Sequence, residues 1–311
     1  LNAVHVLFEP GFFGSAPVRT ALVIGAVTAV VSAVVGVFVV VRSQSFAGHA
    51  LTDVATTGGS AAYFFGLSPL LGFIGGGVLG AGAMDLIGVE RERRRDLATG
   101  IVLGTALGLA ALFLYLDTTN GATTGATQQL LFGSIFTVDP STVPLVLGLS
   151  AFALAIVTAI NRPLLISSLS AELTRARGIN LRAVGAAFMI AMAVSVGLSS
   201  IAVGSILSTA LLIGPAATSV RLTKSLRASL VVAGALGVAA TWLGILFAYD
   251  SFYWVPSSQG LPVSFFIVSL IFIGYLISGL PFAGRGPRRR TRAPSAPAMN
   301  PGTNDSLDVS T

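Results

Sequence analysis

The sequence predicts an all-α, polytopic helical membrane protein with about eight to nine transmembrane helices. Three observations carry this prediction. Of 311 residues, 54% are hydrophobic and only 10% are charged, whereas soluble domains average about 25% charged. Apolar runs long enough to cross a bilayer recur from one end of the chain to the other. The basic residues fall in short clusters between those runs, as they do in loops that fix membrane topology.

Nine hydrophobic segments are predicted: Val18–Val41, Phe46–Gly66, Leu70–Ile87, Leu97–Leu116, Val143–Ile160, Val184–Ser199, Ile201–Pro215, Ser229–Ala248 and Val263–Pro281. The first carries Arg19 at its second position and is followed by Arg42. The second opens on small and polar residues, with Ser43, Gln44, Ser45, Gly48 and Thr52 at its start and Thr56 to Ser60 in its middle. Such a polar stretch predicts broken or irregular backbone, which a membrane tolerates where it lines a cavity or is buried in protein. The third runs into the charged stretch Glu90–Arg95, and the fourth leaves it. The fifth ends at Arg162. The sixth and seventh are nearly contiguous, and the seventh is short and Gly-rich, so its status as a full span stays open. The eighth and ninth flank the aromatic loop that holds Tyr253 and Trp254, residues suited to the membrane interface. The 36 glycines allow helices to approach closely in lipid, where small residues form the interfaces.

Lysine and arginine predict the orientation. Arg42; Arg91 and Arg93–Arg95; Arg162, Arg175, Arg177 and Arg182; Arg221, Lys224 and Arg227; and Arg285, Arg288–Arg290 and Arg292 follow the odd-numbered segments. These make 17 of the 18 basic residues, and only Arg19 falls on the other side. The side that holds the 17 is therefore expected to be cytoplasmic, with the N-terminus outside and the C-terminus inside. The expected layout is an extracytoplasmic segment over 1–17, a membrane domain over 18–282, and a disordered, basic, Pro-rich cytoplasmic tail over 283–311. The tail's Arg288–Arg290 run fits an anchor for the last span or a contact with anionic lipid. Leu1–Thr20 lacks a basic start followed by a cleavage site and is not expected to be a signal peptide.

Several chemistries are excluded. The formal net charge of +6 is dispersed over membrane loops and does not form a nucleic-acid surface. There is no cysteine, hence no disulfide or thiolate metal site. No Gly-x-x-x-x-Gly-Lys-Ser/Thr loop is present, so the chain is not its own ATPase. No His-Glu-x-x-His occurs, no hydrolase triad can be assembled, and the chain is not expected to be an enzyme or to hold a permanent cofactor.

One stretch places a histidine and a carboxylate together inside an apolar run: Gly48-His49-Ala50-Leu51-Thr52-Asp53. Four residues apart on a helix, His49 and Asp53 share a face. Ionisable groups at membrane depth cost about 2.5–3.5 kcal/mol on insertion scales and are functional candidates by default. An imidazole nitrogen and a carboxylate oxygen suit a divalent transition metal. The same pair also suits a His–Asp hydrogen bond that locks two helices.

A second candidate is the stretch Gly214–Arg227. Pro215 suits the first turn of a helix, and Arg221, Lys224 and Arg227 recur every three residues opposite Leu222 and Leu226. This predicts a short amphipathic helix beside the membrane, serving as an ordinary interfacial helix or as a contact for a cytoplasmic partner. Glu172, Arg175 and Arg177 read as a solvated, ion-paired turn, and Asp85 and Glu90–Arg93 as a solvated helix end. His5 and Glu9, near the outer entrance, are weak metal candidates.

Four blocks in order resemble the ABC-3 family, the permeases of bacterial zinc, manganese and iron uptake transporters. Val40–Asp53 is similar to the family's stretch from an arginine to Gly-Asp-Ala-Leu-Ser-His. Arg94-Arg95-Asp96-Leu97-Ala98-Thr99-Gly100 resembles Arg-Glu-Asp-Thr-Ala-Ile-Gly. Leu131-Phe132-Gly133-Ser134-Ile135 matches Leu-Phe-Gly-Ser-Ile. Leu211–Thr218 with Leu222–Leu226 is similar to the family's leucine-rich Pro-Ala-Ala-Thr loop. The resemblance spans about Pro17 to Leu280. In one respect the chain departs from the pattern: His49 stands at the family's Asp position and Asp53 at its His position, a reversed but complete pair.

The resemblance implies a type II-like ABC importer permease in a bacterial plasma membrane. It implies passage of Mn, Zn or Fe as substrate, with His49 and Asp53 as transient metal contacts. It also implies two cytoplasmic ATP-binding subunits, an extracytoplasmic metal-binding protein and a second permease chain, identical or related. The coupling contact to the ATPase carries over to Pro215, Ala216, Thr218, Arg221, Lys224 and Arg227. An alternative from another class is an ion-coupled secondary carrier that uses His49 and Asp53 as a proton relay. That class commonly shows internal repeats, and none is found. A structural membrane protein with no pathway would tolerate replacement of both residues.

Overall fold

The computed structural model describes residues 12–88, 92–119, 125–133, 135–169, 174, 177–254 and 260–280. Among the described residues every regular element is helical. The α-helices are α1 (Ala16–Val41), α2 (Ser45–Phe64), α3 (Pro69–Gly88), α4 (Glu92–Thr119), α5 (Gly125–Phe132), α6 (Val143–Leu169), α7 (Leu181–Val203), α8 (Ser205–Leu222), α9 (Leu226–Trp254) and α10 (Val263–Gly279). Eight of the nine predicted segments each lie largely on one of them, the seventh starts in the last turn of α7 and crosses Gly204 into α8, and six of the helices are long and apolar enough to cross a membrane by length and composition. The segment missed is α5, whose eight residues are too short to register as a span. The seventh segment is a full helix, α8, of 18 residues. α1 begins at Ala16, two residues inside the predicted outer segment over 1–17. Most of that segment, including His5 and Glu9, and the tail over 283–311 lie outside the described residues, as do Glu90, Arg91, Glu172 and Arg175.

α1 and α7 form the interior. In their most apolar windows 67% and 72% of residues are buried, against 17% for α4 and 22% for α6. Leu109, Leu112 and Phe152 on the outer helices are exposed, which suits helices bordered by hydrocarbon rather than water. α7 runs antiparallel to α1. Arg42 at the end of α1 lies over the Phe188 ring near the start of α7, and Ser195 pairs with Ser32 midway. Val18 and Ala21 share a core cluster with Ala202 and Val203 at the other end.

The chain then reverses at a single residue. Gly204 has φ +87, a left-handed conformation that costs glycine nothing sterically. It ends α7 and begins α8, which returns alongside α1 with Ala216 packed against Ala33 and Val37. Gly133, also left-handed at φ +74, lies directly against this reversal, so that a Cβ on either glycine would run into the other's backbone. The stretch Leu131–Gly133 is therefore a wedge seated on the α7–α8 turn. Ile135, just beyond it, is fully buried.

Candidate functional site

The site begins in the three-residue turn between α1 and α2. Ser43 takes a left-handed φ of 54, and the Gln44 N–H donates back to the Val39 carbonyl at 2.9 Å. Arg42 holds this turn in place. Its guanidinium donates to the Leu164 carbonyl at 3.0 Å and to Ser167 Oγ at 2.7 Å, both in the closing turns of α6. Arg42 is thus a structural clamp as well as a topological charge, because its planar fork serves several acceptors at once. The clamp fixes where α2 starts and hence where His49 points.

α2 corrects one expectation. The polar stretch is not broken; it is a continuous α-helix from Ser45 to Phe64. Its hydroxyls are satisfied by backbone carbonyls. Thr52 donates to Gly48 O, Thr56 to Thr52 O and Ser60 to Thr57 O, at 3.0–3.1 Å, while Thr57 reaches across to Ala106 O of α4 at 2.7 Å. Small polar residues of this kind fit inside an intact helix because back-bonding onto the preceding turn supplies their partner.

His49 and Asp53 meet as the spacing predicts. His49 Nε2 and Asp53 Oδ2 stand 3.7 Å apart, with the imidazole 49% and the carboxylate side chain 18% exposed. The gap is too long for a hydrogen bond and suits an ion bridging the pair. Among the described residues no third His, Cys, Asp or Glu joins them. The pair therefore offers an open, two-ligand contact rather than a closed cage.

One member of the site escaped sequence reasoning. Thr209, in the second turn of α8, lies 3.2 Å from His49 Nδ1 and bonds Thr52 Oγ1 at 3.3 Å. The available signal was the polar Ser205, Ser208 and Thr209 inside an apolar segment, but only the folded chain brings positions 49 and 209 together. Thr209 also borders a cavity of about 470 Å³ between α8 and α10, lined mainly by apolar groups that include Ile213, Ala217, Val268, Phe272 and Tyr275.

The stretch from Pro215 to Arg227 is not a separate amphipathic helix. Pro215 lies inside α8, and Pro215, Ala216 and Thr218 are buried. The apolar run continues through the proline because Ala216 packs against α1, and the Thr218 hydroxyl donates to Gly214 O at 2.9 Å. α8 ends at Leu222, and α9 begins four residues later at Leu226. Only the corner is exposed, at Arg221, Leu222, Lys224, Ser225 and Arg227. Arg221 is seated over the Tyr275 ring of α10, 3.9 Å from its centroid, and donates to the Tyr275 hydroxyl.

The comparisons with known proteins agree with this architecture. The model of the ABC 3 transport family matches residues 16–278. The manganese transport system membrane protein MntC of Halalkalibacterium halodurans is 28% identical over 235 residues, covering 75% of this chain and 79% of that protein. MntC of Listeria monocytogenes is 25% identical over 246 residues, covering 78% and 86%. The solved structure of PsaBC from Streptococcus pneumoniae in complex with Fab superposes with a TM-score of 0.75 at 25% identity, covering 88% of this chain and 94% of that one. The family match runs from the first residue of α1 to one residue short of the end of α10, and with it this multi-pass helical chain belongs to the ABC 3 transport family, as a transport permease and not an enzyme.

Proposed function

We propose that this permease moves a divalent transition metal, manganese before zinc or iron, through an ATP-driven importer. The observation that carries the reading is the His49–Asp53 pair, 3.7 Å apart on one face of α2 with the imidazole half exposed. The manganese transport named for the MntC relatives supports the choice of metal. Neutral imidazole and ionised carboxylate bind such an ion, and water completes its shell. Two protein ligands hold it weakly enough for release, which transit requires.

The partners follow from the same reading. Two ATP-binding subunits dock on the cytoplasmic side at the corner Arg221–Arg227, with buried Pro215, Ala216 and Thr218 stiffening the helix end behind it. An extracytoplasmic binding protein delivers the metal. A second permease chain, identical or related, completes the pathway. The excess of arginine and lysine at the Arg42 and Arg221 ends of the helices supports a cytoplasmic location for those ends and an outer N-terminus.

Reconstitution into liposomes tests this. With ATP-binding subunits and ATP, the permease should accumulate manganese. Accumulation that needs neither, and follows a proton or sodium gradient instead, would establish a secondary carrier.

A further inference from the structure

We infer that Thr209 is a positioning residue that selects the metal-binding tautomer of His49, keeping the proton on Nδ1 and the lone pair on Nε2. This rests on the metal-contact role proposed above. Four groups form a chain of contacts: the Gly48 carbonyl, the Thr52 hydroxyl, the Thr209 hydroxyl and His49 Nδ1. Thr52 Oγ1 lies 3.1 Å from Gly48 O, Thr209 Oγ1 lies 3.3 Å from Thr52 Oγ1, and Nδ1 lies 3.2 Å from Thr209 Oγ1.

The number of protons fixes the direction of every link. A carbonyl has no proton, so Thr52 donates its only one to Gly48 O. Thr52 then has only lone pairs to offer, and Thr209 must donate its own proton to Thr52. Thr209 in turn can only accept from His49. All three contacts are satisfied together only when Nδ1 carries the hydrogen. The unprotonated nitrogen is then Nε2, the atom that faces Asp53 Oδ2.

This matters because Asp53 pulls the other way. A carboxylate 3.7 Å from Nε2 favours a hydrogen on that nitrogen, which would turn the pair into an N–H···O contact and block coordination there. The hydroxyl on the far side of the ring opposes that pull by giving the proton an acceptor at Nδ1. Partners on the far ring nitrogen commonly set the tautomer and orientation of metal-binding histidines, and their loss weakens metal affinity about 10–100-fold. Here the acceptor comes from a different helix, so the binding-ready tautomer exists only while α8 lies against α2.

The chain has two histidines, His5 and His49, so nitrogen-15 labelling of histidine gives a spectrum that can be fully assigned. The full chain in lipid bilayers, free of metal and at a pH where the imidazoles are neutral, would be measured by solid-state NMR, with His5→Gln identifying the His49 signals. The expected result is a protonated Nδ1 and a pyridine-type Nε2 at His49. Thr209→Val should move the proton to Nε2 and weaken manganese binding about 10-fold or more, whereas Thr209→Ser should retain the wild-type tautomer and affinity. A protonated Nε2 in the wild-type chain, or an unchanged tautomer in Thr209→Val, overturns the inference. Neither result bears on whether His49 and Asp53 are needed for uptake, so the metal-contact reading stands or falls separately on their own substitution.

Discussion

Gly36 of α1 faces the Leu212 carbonyl of α8 so closely that a Cβ at position 36 would overlap the carbonyl oxygen. The obstacle is backbone, so no side-chain rotation relieves it. Gly36→Ala should push α8 off α1 and cost about 1–3 kcal/mol, the range for overpacking. Because α8 carries both Thr209 and the exposed corner at Arg221–Arg227, membrane abundance and transport should fall together. Thermal unfolding of the solubilised variant would show the loss, and a melting curve like that of wild type would contradict the packing described.

Arg42 offers a second structural test. Its contacts to Leu164 O and Ser167 Oγ tie the start of α2 to the end of α6. Arg42→Ala leaves a part-buried carbonyl and hydroxyl without this donor and should destabilise by about 1.5–3 kcal/mol, the range for hydrogen bonds to charged groups. Arg42→Lys keeps the charge but not the fork and should recover only part of the loss. Full recovery in the lysine variant would mean that charge alone, not geometry, is what position 42 supplies.

Much of this was legible in the sequence. Hydrophobic length located the nine long helices among the described residues, because the lack of water in lipid forces a spanning segment to be both helical and apolar. The i,i+4 spacing placed His49 beside Asp53. What escaped depended on three-dimensional partners. The polar start of α2 read as irregular backbone because its hydroxyl acceptors are carbonyls one turn back, which composition does not display. Pro215 read as a helix start because prolines favour first turns, yet the burial of Ala216 against α1 carries α8 through it. Thr209 reaches His49 across 160 residues of sequence, and no local pattern announces that contact.

Docking of the ATP-binding subunits is testable at the exposed corner. Arg221 is engaged with Tyr275, so substituting it would also loosen α8 from α10. Lys224→Glu with Arg227→Glu reverses two exposed charges without touching that pair. Co-purification of the ATP-binding subunits should be lost while the permease still inserts and melts as wild type. Normal co-purification with normal transport would place the coupling contact elsewhere.

The loop between α5 and α6 carries a pH-sensitive cap. Asp139 Oδ1 accepts from the Ser141 N–H at 2.8 Å and starts the short 3-10 turn Pro140–Thr142. That backbone hydrogen bond holds the Asp139 carboxyl below the usual carboxylate range. A depressed folded-state value means the cap's contribution is present above the unfolded pKa and is lost as pH falls through the folded one. Protection of the Ser141 amide in hydrogen exchange should therefore drop on acidification and be absent at all pH values in Asp139→Ala. Equal protection in the variant and wild type would show that the turn holds without its cap.

The central claim is that His49 and Asp53 together contact the metal in transit. The direct measurement is ATP-driven manganese uptake by liposomes containing the assembled transporter, with His49→Ala, Asp53→Ala and the exchange His49→Asp with Asp53→His. Each alanine variant should abolish uptake while the ATP-binding subunits remain associated, and the exchange variant, which keeps one imidazole and one carboxylate, should retain substantial uptake. Wild-type uptake rates in both alanine variants would contradict the claim.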